Sequence, residues 1–212
     1  MTTRPYDYIR NPEEIYRRSF AAIRAEVDLG ALPPDLEAVA VRLIHACGMP
    51  DIVQDLAFSR DAAARGRRAL DSGATILVDT EMVAYGIIRS RLPSANPVLC
   101  TLGEDAVRER ARAGATTRSA AAVELWPPHL EGAVVAIGNA PTALFRLLEL
   151  FDEGAPQPAV VLAFPVGFIG AAESKDALAR HPAAVPFVTV RGRRGGSAMA
   201  AAAVNALAGA ER

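Results

Sequence analysis

The chain is sparing with the side chains that usually carry acid–base or nucleophilic chemistry: three histidines, two cysteines and a single lysine, Lys175, in 212 residues. His45 has the most suggestive setting. Leu36, Val39, Ala40, Leu43 and Cys47 recur at three- and four-residue steps, the core face of a helix, and Val41 and His45 fall on its flank. Gly48 stands where a C-cap glycine belongs and Pro50 follows as a stop, so His45 lies in the last helical turn. The negative end of the helix dipole favours an imidazolium there, and Asp51 and Asp55 would push the same way if they point back at the ring. A protonated histidine beside apolar surface is a candidate general acid. A capping or core histidine would leave the same local pattern. His129, in the loop WPPHLEG, and His181, before Pro182, read as structural or surface residues, and Trp126 beside two prolines reads as a loop anchor.

Ser19 is the second candidate. Asn11-Pro12-Glu13-Glu14 is a helix start, with Asn as N-cap, Pro at the first position and acids in the first turn. Ile15, Ser19, Ile23 and Val27 follow at four-residue steps, which sets a hydroxyl in an apolar stripe, where it must find a partner. A backbone carbonyl one turn back would serve; so would a ligand.

The elements that must position these residues follow a regular rhythm. Gly30 to Pro34 breaks the chain before the His45 helix. Beyond Ser59, DAAARGRRALDSG reads as an exposed basic helix. Then ATILVD, PVLCTL, AVVAIG, AVVLAF and PFVTV are short aliphatic runs, each followed by an amphipathic or small-residue stretch, the last a packed Ala-rich helix from Gly195. This pattern predicts an α/β fold: a three-layer α/β/α arrangement with a mainly parallel sheet of about five strands and N-terminal helices, in one domain spanning residues 1–212. Ligands of such sheets bind at the carboxyl ends of the strands. The loops there carry small residues at helix starts, which lets an anion approach backbone N–H groups; tight strand-to-helix turning needs such residues as well. Their candidate substrate-binding residues are Thr117 and Arg118 in ATTR, Asn139 and Thr142 in IGNAPT, and Gly167 in FPVG. RGRRGGS, leaving the fifth strand, is a fourth loop of this kind.

Composition narrows the function classes. Hydrophobic residues make up 51% and aromatic ones 6%, so the core must be aliphatic, and a net charge of −1 gives no overall basis for holding nucleic acid. Every cation except Lys175 is Arg, which pairs bidentately with carboxylates; genomic base composition would produce the same bias. Cys47 and Cys100 lie far apart in apolar segments, with no CxxC and no zinc spacing, and read as reduced, buried thiols. There is no GxGxxG after the first strand, no Walker loop and no GxSxG elbow, so neither a nucleotide cofactor nor a metal is expected. The first ten residues hold no apolar signal core, and no apolar run reaches the ~18 residues of a membrane span.

RLIHACGMPDIVQDLAFS resembles the signature of the precorrin-8X methylmutases, also called precorrin isomerases, of cobalamin biosynthesis. NPEEIYRRSFAAIRAE, ILVDTEMVAYGI, AIGNAPTALFRLLEL and GFIGAAESKDAL are similar to further segments of that family, in the family's order, from about Asn11 to Ala208. The resemblance implies an isomerase: a methyl group migrates between neighbouring carbons of ring C of precorrin-8X, giving hydrogenobyrinic acid, with no redox cofactor and no metal. It implies His45 as the proton donor, a substrate contact from Ser19, and a cytoplasmic homodimer with sites near the subunit interface. It leaves two alternatives open: the same reaction on a cobalt-containing precorrin, and a tetrapyrrole-binding protein without turnover.

Overall fold

The computed structural model describes residues 6–209. The expectation of no signal core falls in part on residues 1–5, outside the described residues. Helix α1 (Pro12–Glu26) starts as expected: the Asn11 side chain accepts from the Glu14 N–H, and Pro12 occupies the first turn. Helix α2 (Pro34–Cys47) ends at Gly48 with φ 68°, a left-handed cap whose N–H donates to the Ile44 carbonyl; a side chain there would be strained. Leu36, Val39, Ala40 and Leu43 are all buried, as their spacing predicts.

After α2 a 3-10 turn, Pro50–Asp55, leads into strand β1 (Leu56–Phe58). The remaining elements are α3 (Ala62–Asp71), β2 (Ile76–Val78), α4 (Glu81–Gly86), β3 (Val98–Leu99), α5 (Asp105–Ala113), α6 (Arg118–Val123), α7 (Pro127–Leu130), β4 (Val134–Ile137), α8 (Pro141–Asp152), β5 (Val160–Ala163), α9 (Ala171–Arg180), β6 (Phe187–Val190) and α10 (Ser197–Ala208). The sheet order is β1-β6-β5-β4-β2-β3. All neighbours run parallel except β1, which pairs antiparallel to β6 with Leu56 opposite Val190. The sheet thus has six strands rather than about five. The extra one is three residues long and follows a 3-10 turn, too short to show an alternating pattern.

Residues of the central strands alternate between two cores. Ile76, Val78, Val134, Ala136, Val160 and Leu162 pack with α2, α3, α4 and α10; Leu77, Val135, Ile137, Val161 and Ala163 pack with α8 and α9. Burial on both faces explains why the strands read as unbroken aliphatic runs. Removing a side chain such as Leu43 or Leu144 from these cores would cost about 2–5 kcal/mol.

Helix α10 is the central column of the first layer. Its alanines let neighbours come close: a Cβ on Gly86 would lie 2.7 Å from the Ala201 Cβ, and one on Gly138 would lie 2.7 Å from the Ser197 Cα. The helix begins at Ser197, two residues later than the sequence suggests, because Gly196 has φ 131°, far from helical. Buried Asn205 fastens it laterally, accepting from the Ile88 N–H at 2.8 Å and donating to the Gly86 carbonyl at 3.0 Å. Cys47 and Cys100 are free thiols, half-buried rather than buried. Among the described residues no helix is long and apolar enough to cross a membrane.

Candidate functional site

His45 is exposed at the end of α2. Its Nδ1 lies 2.8 Å from the Ser19 Oγ, so α1 and α2 meet through this pair. The Ser19 hydroxyl is therefore bonded to a side chain on the neighbouring helix. The ring is held from two sides. Phe20 meets it edge-on at 5.3 Å between centroids, and Tyr16 lies tilted at 5.5 Å. With Nδ1 taken by Ser19, Nε2 is the nitrogen left for a ligand.

The sequence expectation of an imidazolium favoured by Asp51 and Asp55 is not met. Both carboxylates bind the Arg194 guanidinium, at 2.6 and 2.5 Å. Partial burial, and then the charge of Arg42 one turn back, lower the His45 pKa from its ordinary value. His45 is thus tuned toward a stronger acid, charged over a narrower pH range.

A cavity of about 230 Å³ opens beside the ring, lined by Tyr16, Arg42, Gly86, Ile88, Ala198, Ala201 and Asn205 among others. Its walls are largely small and apolar because the α10 alanines form one side. Tyr16 and Arg42 also line a second cavity, of about 650 Å³, which holds Arg17, Arg24, Arg91 and Phe20. Arg42 is nearly buried, with its guanidinium 5.4 Å from the Phe20 ring centroid.

The other predicted site residues form a separate group at the carboxyl edge of the sheet. The Thr117 hydroxyl donates to that of Thr142 at 2.8 Å and also accepts from the Ala120 N–H, capping α6. Arg118 donates to the Leu102 carbonyl. The Asn139 carbonyl accepts from the Val166 N–H, and the Gly167 N–H donates to the Arg193 carbonyl, which stitches three of the loops together. None of these residues lines the His45 cavity. The first turn of α10 touches both groups: Ser197 packs on Gly138, and Ala198 lines the His45 cavity.

Sequence reasoning passed over Asp79, which organises this edge. Its carboxylate, 2% exposed at the end of β2, accepts from the Gly138, Asn139 and Ala140 N–H groups, each at 2.9 Å. Burial raises its pKa, and the three backbone donors offset only part of that rise. It passed over Arg42, Tyr16, Arg91 and Asn205 as well. Arg42 did leave a signal: a cation inside the apolar run AVAVRLI. Among the described residues no group of three or more His, Cys, Asp or Glu side chains could hold a metal ion.

These features describe an α/β protein with a mostly parallel sheet, whose candidate site is a histidine, held by a serine, at a small, largely apolar cavity joined to an arginine-lined one. The comparisons with known proteins give the family. The chain belongs to the precorrin-8X methylmutase family, whose model matches residues 14–210. It is 64% identical to a precorrin-8X methylmutase of Pseudomonas aeruginosa over 95% of this chain and 97% of that one. It is 37% identical to a cobalt-precorrin-8 methylmutase of Methanothermobacter thermautotrophicus, over 97% of this chain and 93% of that one. The solved precorrin-8X methyl mutase of Thermus thermophilus superposes with a TM-score of 0.84 at 39% identity, covering 92% of this chain and 94% of that one.

Proposed function

We propose that this chain isomerises metal-free precorrin-8X to hydrogenobyrinic acid in cobalamin biosynthesis, as one domain, with His45 as general acid. His45, bonded to Ser19 and facing a cavity, carries the reading. In the imidazolium both ring nitrogens are donors. Ser19 accepts from Nδ1–H, and Nε2–H points to the substrate. Transfer of that proton to the macrocycle draws electron density from ring C. The methyl group then migrates to the neighbouring carbon, and loss of a proton from the product restores the charge balance. Substrate and product are isomers, so no electrons or groups are gained or lost. The lowered His45 pKa fits a donor that releases its proton readily.

Identity of 64% to a metal-free-route enzyme against 37% to a cobalt-route one favours the metal-free substrate. Thr117, Arg118, Asn139, Thr142 and Gly167 hold the rim carboxylates of the substrate. They lie apart from His45 within one chain, which fits a site completed by a second copy. Exposed Met82, Tyr85, Phe168 and Ile169 supply apolar surface for such a homodimer. We place the enzyme in the cytoplasm.

The test is incubation with metal-free precorrin-8X and no added cofactor, followed by absorption spectrum and mass. Unchanged mass with a changed spectrum, over many turnovers, is expected. One equivalent bound without turnover would make this a tetrapyrrole carrier, and turnover of only the cobalt form would move it to the other route.

A further inference from the structure

The His45 cavity, about 230 Å³, is smaller than the ~300 Å³ at which ligand sites begin. It admits an edge of a tetrapyrrole and no more. The space continues past Tyr16 and Arg42, which line both this cavity and the 650 Å³ one between α1, α2 and the 3-10 turn Arg89–Arg91. The character of the walls changes across that border. Ala198, Ala201 and Ala202 give way to Arg17, Arg24 and Arg91.

The cations in the larger cavity are held differently. Arg17 is engaged by Glu14 and Arg24 by Glu37. Arg91 lies over the Tyr16 ring, 5.6 Å from its centroid, and among the described residues no carboxylate pairs with it. A guanidinium resting on an aromatic face stays oriented while its N–H donors remain available for a bidentate carboxylate. The backbone ties it to the reaction end of the site: Gly86 and Ile88 line the His45 cavity and are fastened to Asn205, and Ile88 stands three residues before Arg91.

We infer that the arginine-lined cavity is a subsite for a carboxylate arm of the substrate, with Arg91 as the residue that selects it. The inference rests on the proposed substrate. Arg91 binds and orients the arm; it takes no part in proton transfer.

The test compares wild type with Arg91→Gln and Arg91→Lys in titrations with hydrogenobyrinic acid and in steady-state turnover of precorrin-8X. Loss of a charge-assisted hydrogen bond should weaken product binding and raise KM about ten- to hundredfold. The kcat value should stay within about threefold, and Lys should restore part of the affinity. A derivative with its carboxylates amidated should bind wild type and Arg91→Gln equally. Product affinity and KM within about twofold of wild type for Arg91→Gln would overturn the subsite, and so would a fall in kcat at unchanged KM. Thermal melting of each variant confirms that it is folded. Failure of wild type to turn over precorrin-8X would defeat the functional proposal instead, and the titration would still test the cavity against a polycarboxylate tetrapyrrole.

Discussion

The Ser19 hydroxyl lies 2.8 Å from the His45 Nδ1, 26 residues away on a different helix. The contact couples the orientation of the imidazole to the packing of α1 on α2. Phe20, the next residue of α1 and its one buried side chain, sets that packing and meets the same ring.

Ser19→Ala should leave the fold intact and slow turnover. In the imidazolium this bond involves a charged group, and its loss is worth about 1.5–3 kcal/mol, roughly ten- to hundredfold. Single-turnover rates should fall by that factor, with product affinity nearly unchanged if the hydroxyl acts through His45. A larger loss in affinity than in rate would mean that Ser19 binds substrate directly.

His45→Ala should cut the isomerisation rate by about 10²–10⁴, the usual contribution of a general acid, while product binding largely survives. The pH profile carries the sharper test. Burial and Arg42 lower the pKa from 6.5, so wild-type activity should fall as pH rises through a value below 6.5. The variant should lose that limb. A variant within about tenfold of wild type, below the general-acid range, would leave a mechanism in which the protein supplies shape and no proton.

The parallel strands are legible because each is an aliphatic run, and the central ones, β2, β4 and β5, are buried on both faces. Strand β1 is not, since three residues after a 3-10 turn carry no period. The Ile15-Ser19-Ile23-Val27 stripe looked like a core face, yet Ile15 is 44% exposed. The stripe reaches the core only at Ile23 and Val27, while Ile15 lies in solvent and Ser19 turns to His45; spacing alone does not tell how far along a helix the core extends. Asp51 and Asp55 follow the same lesson. Proximity in sequence suggested His45 as their partner, but the 3-10 turn directs them to Arg194, about 140 residues on. A polar contact between distant elements leaves no local trace, which is why the partner of Ser19 and the role of Asp79 also went unread.

Asp79→Ala should be among the more destabilising single changes at the carboxyl edge of the sheet. It removes the acceptor of three backbone N–H groups in a buried loop, and each orphaned donor costs about 1–3 kcal/mol unless water reaches it. The loop carries Asn139 and supports Ser197 at the start of α10, so activity should fall together with stability. Asp79→Asn should be intermediate: one oxygen remains to accept, and its NH2 confronts a backbone donor. Urea denaturation of the three proteins checks the order, and an unchanged midpoint for Asp79→Ala would refute the anchoring role.

Lys175 gives a pH test that is independent of the active site. The only lysine in the chain is 1% exposed, and its Nζ donates to the Arg194 carbonyl at 2.7 Å. It therefore braces the loop whose guanidinium holds Asp51 and Asp55. Burial pushes its pKa down from 10.5 to about 8, against the weaker pull of Asp176 and Asp55. Between these values the unfolded chain binds more protons at this site than the folded one, so stability from Lys175 rises with pH across that window. Relative to Lys175→Met, the wild type should gain up to about 3 kcal/mol between pH 7.5 and 10.5, at 1.36 kcal/mol per pKa unit. Taking the difference between the two proteins removes the titration of every group they share. Urea melts at the two pH values measure it, and a pH-independent difference would mean that the buried ammonium is as well solvated in the fold as in water.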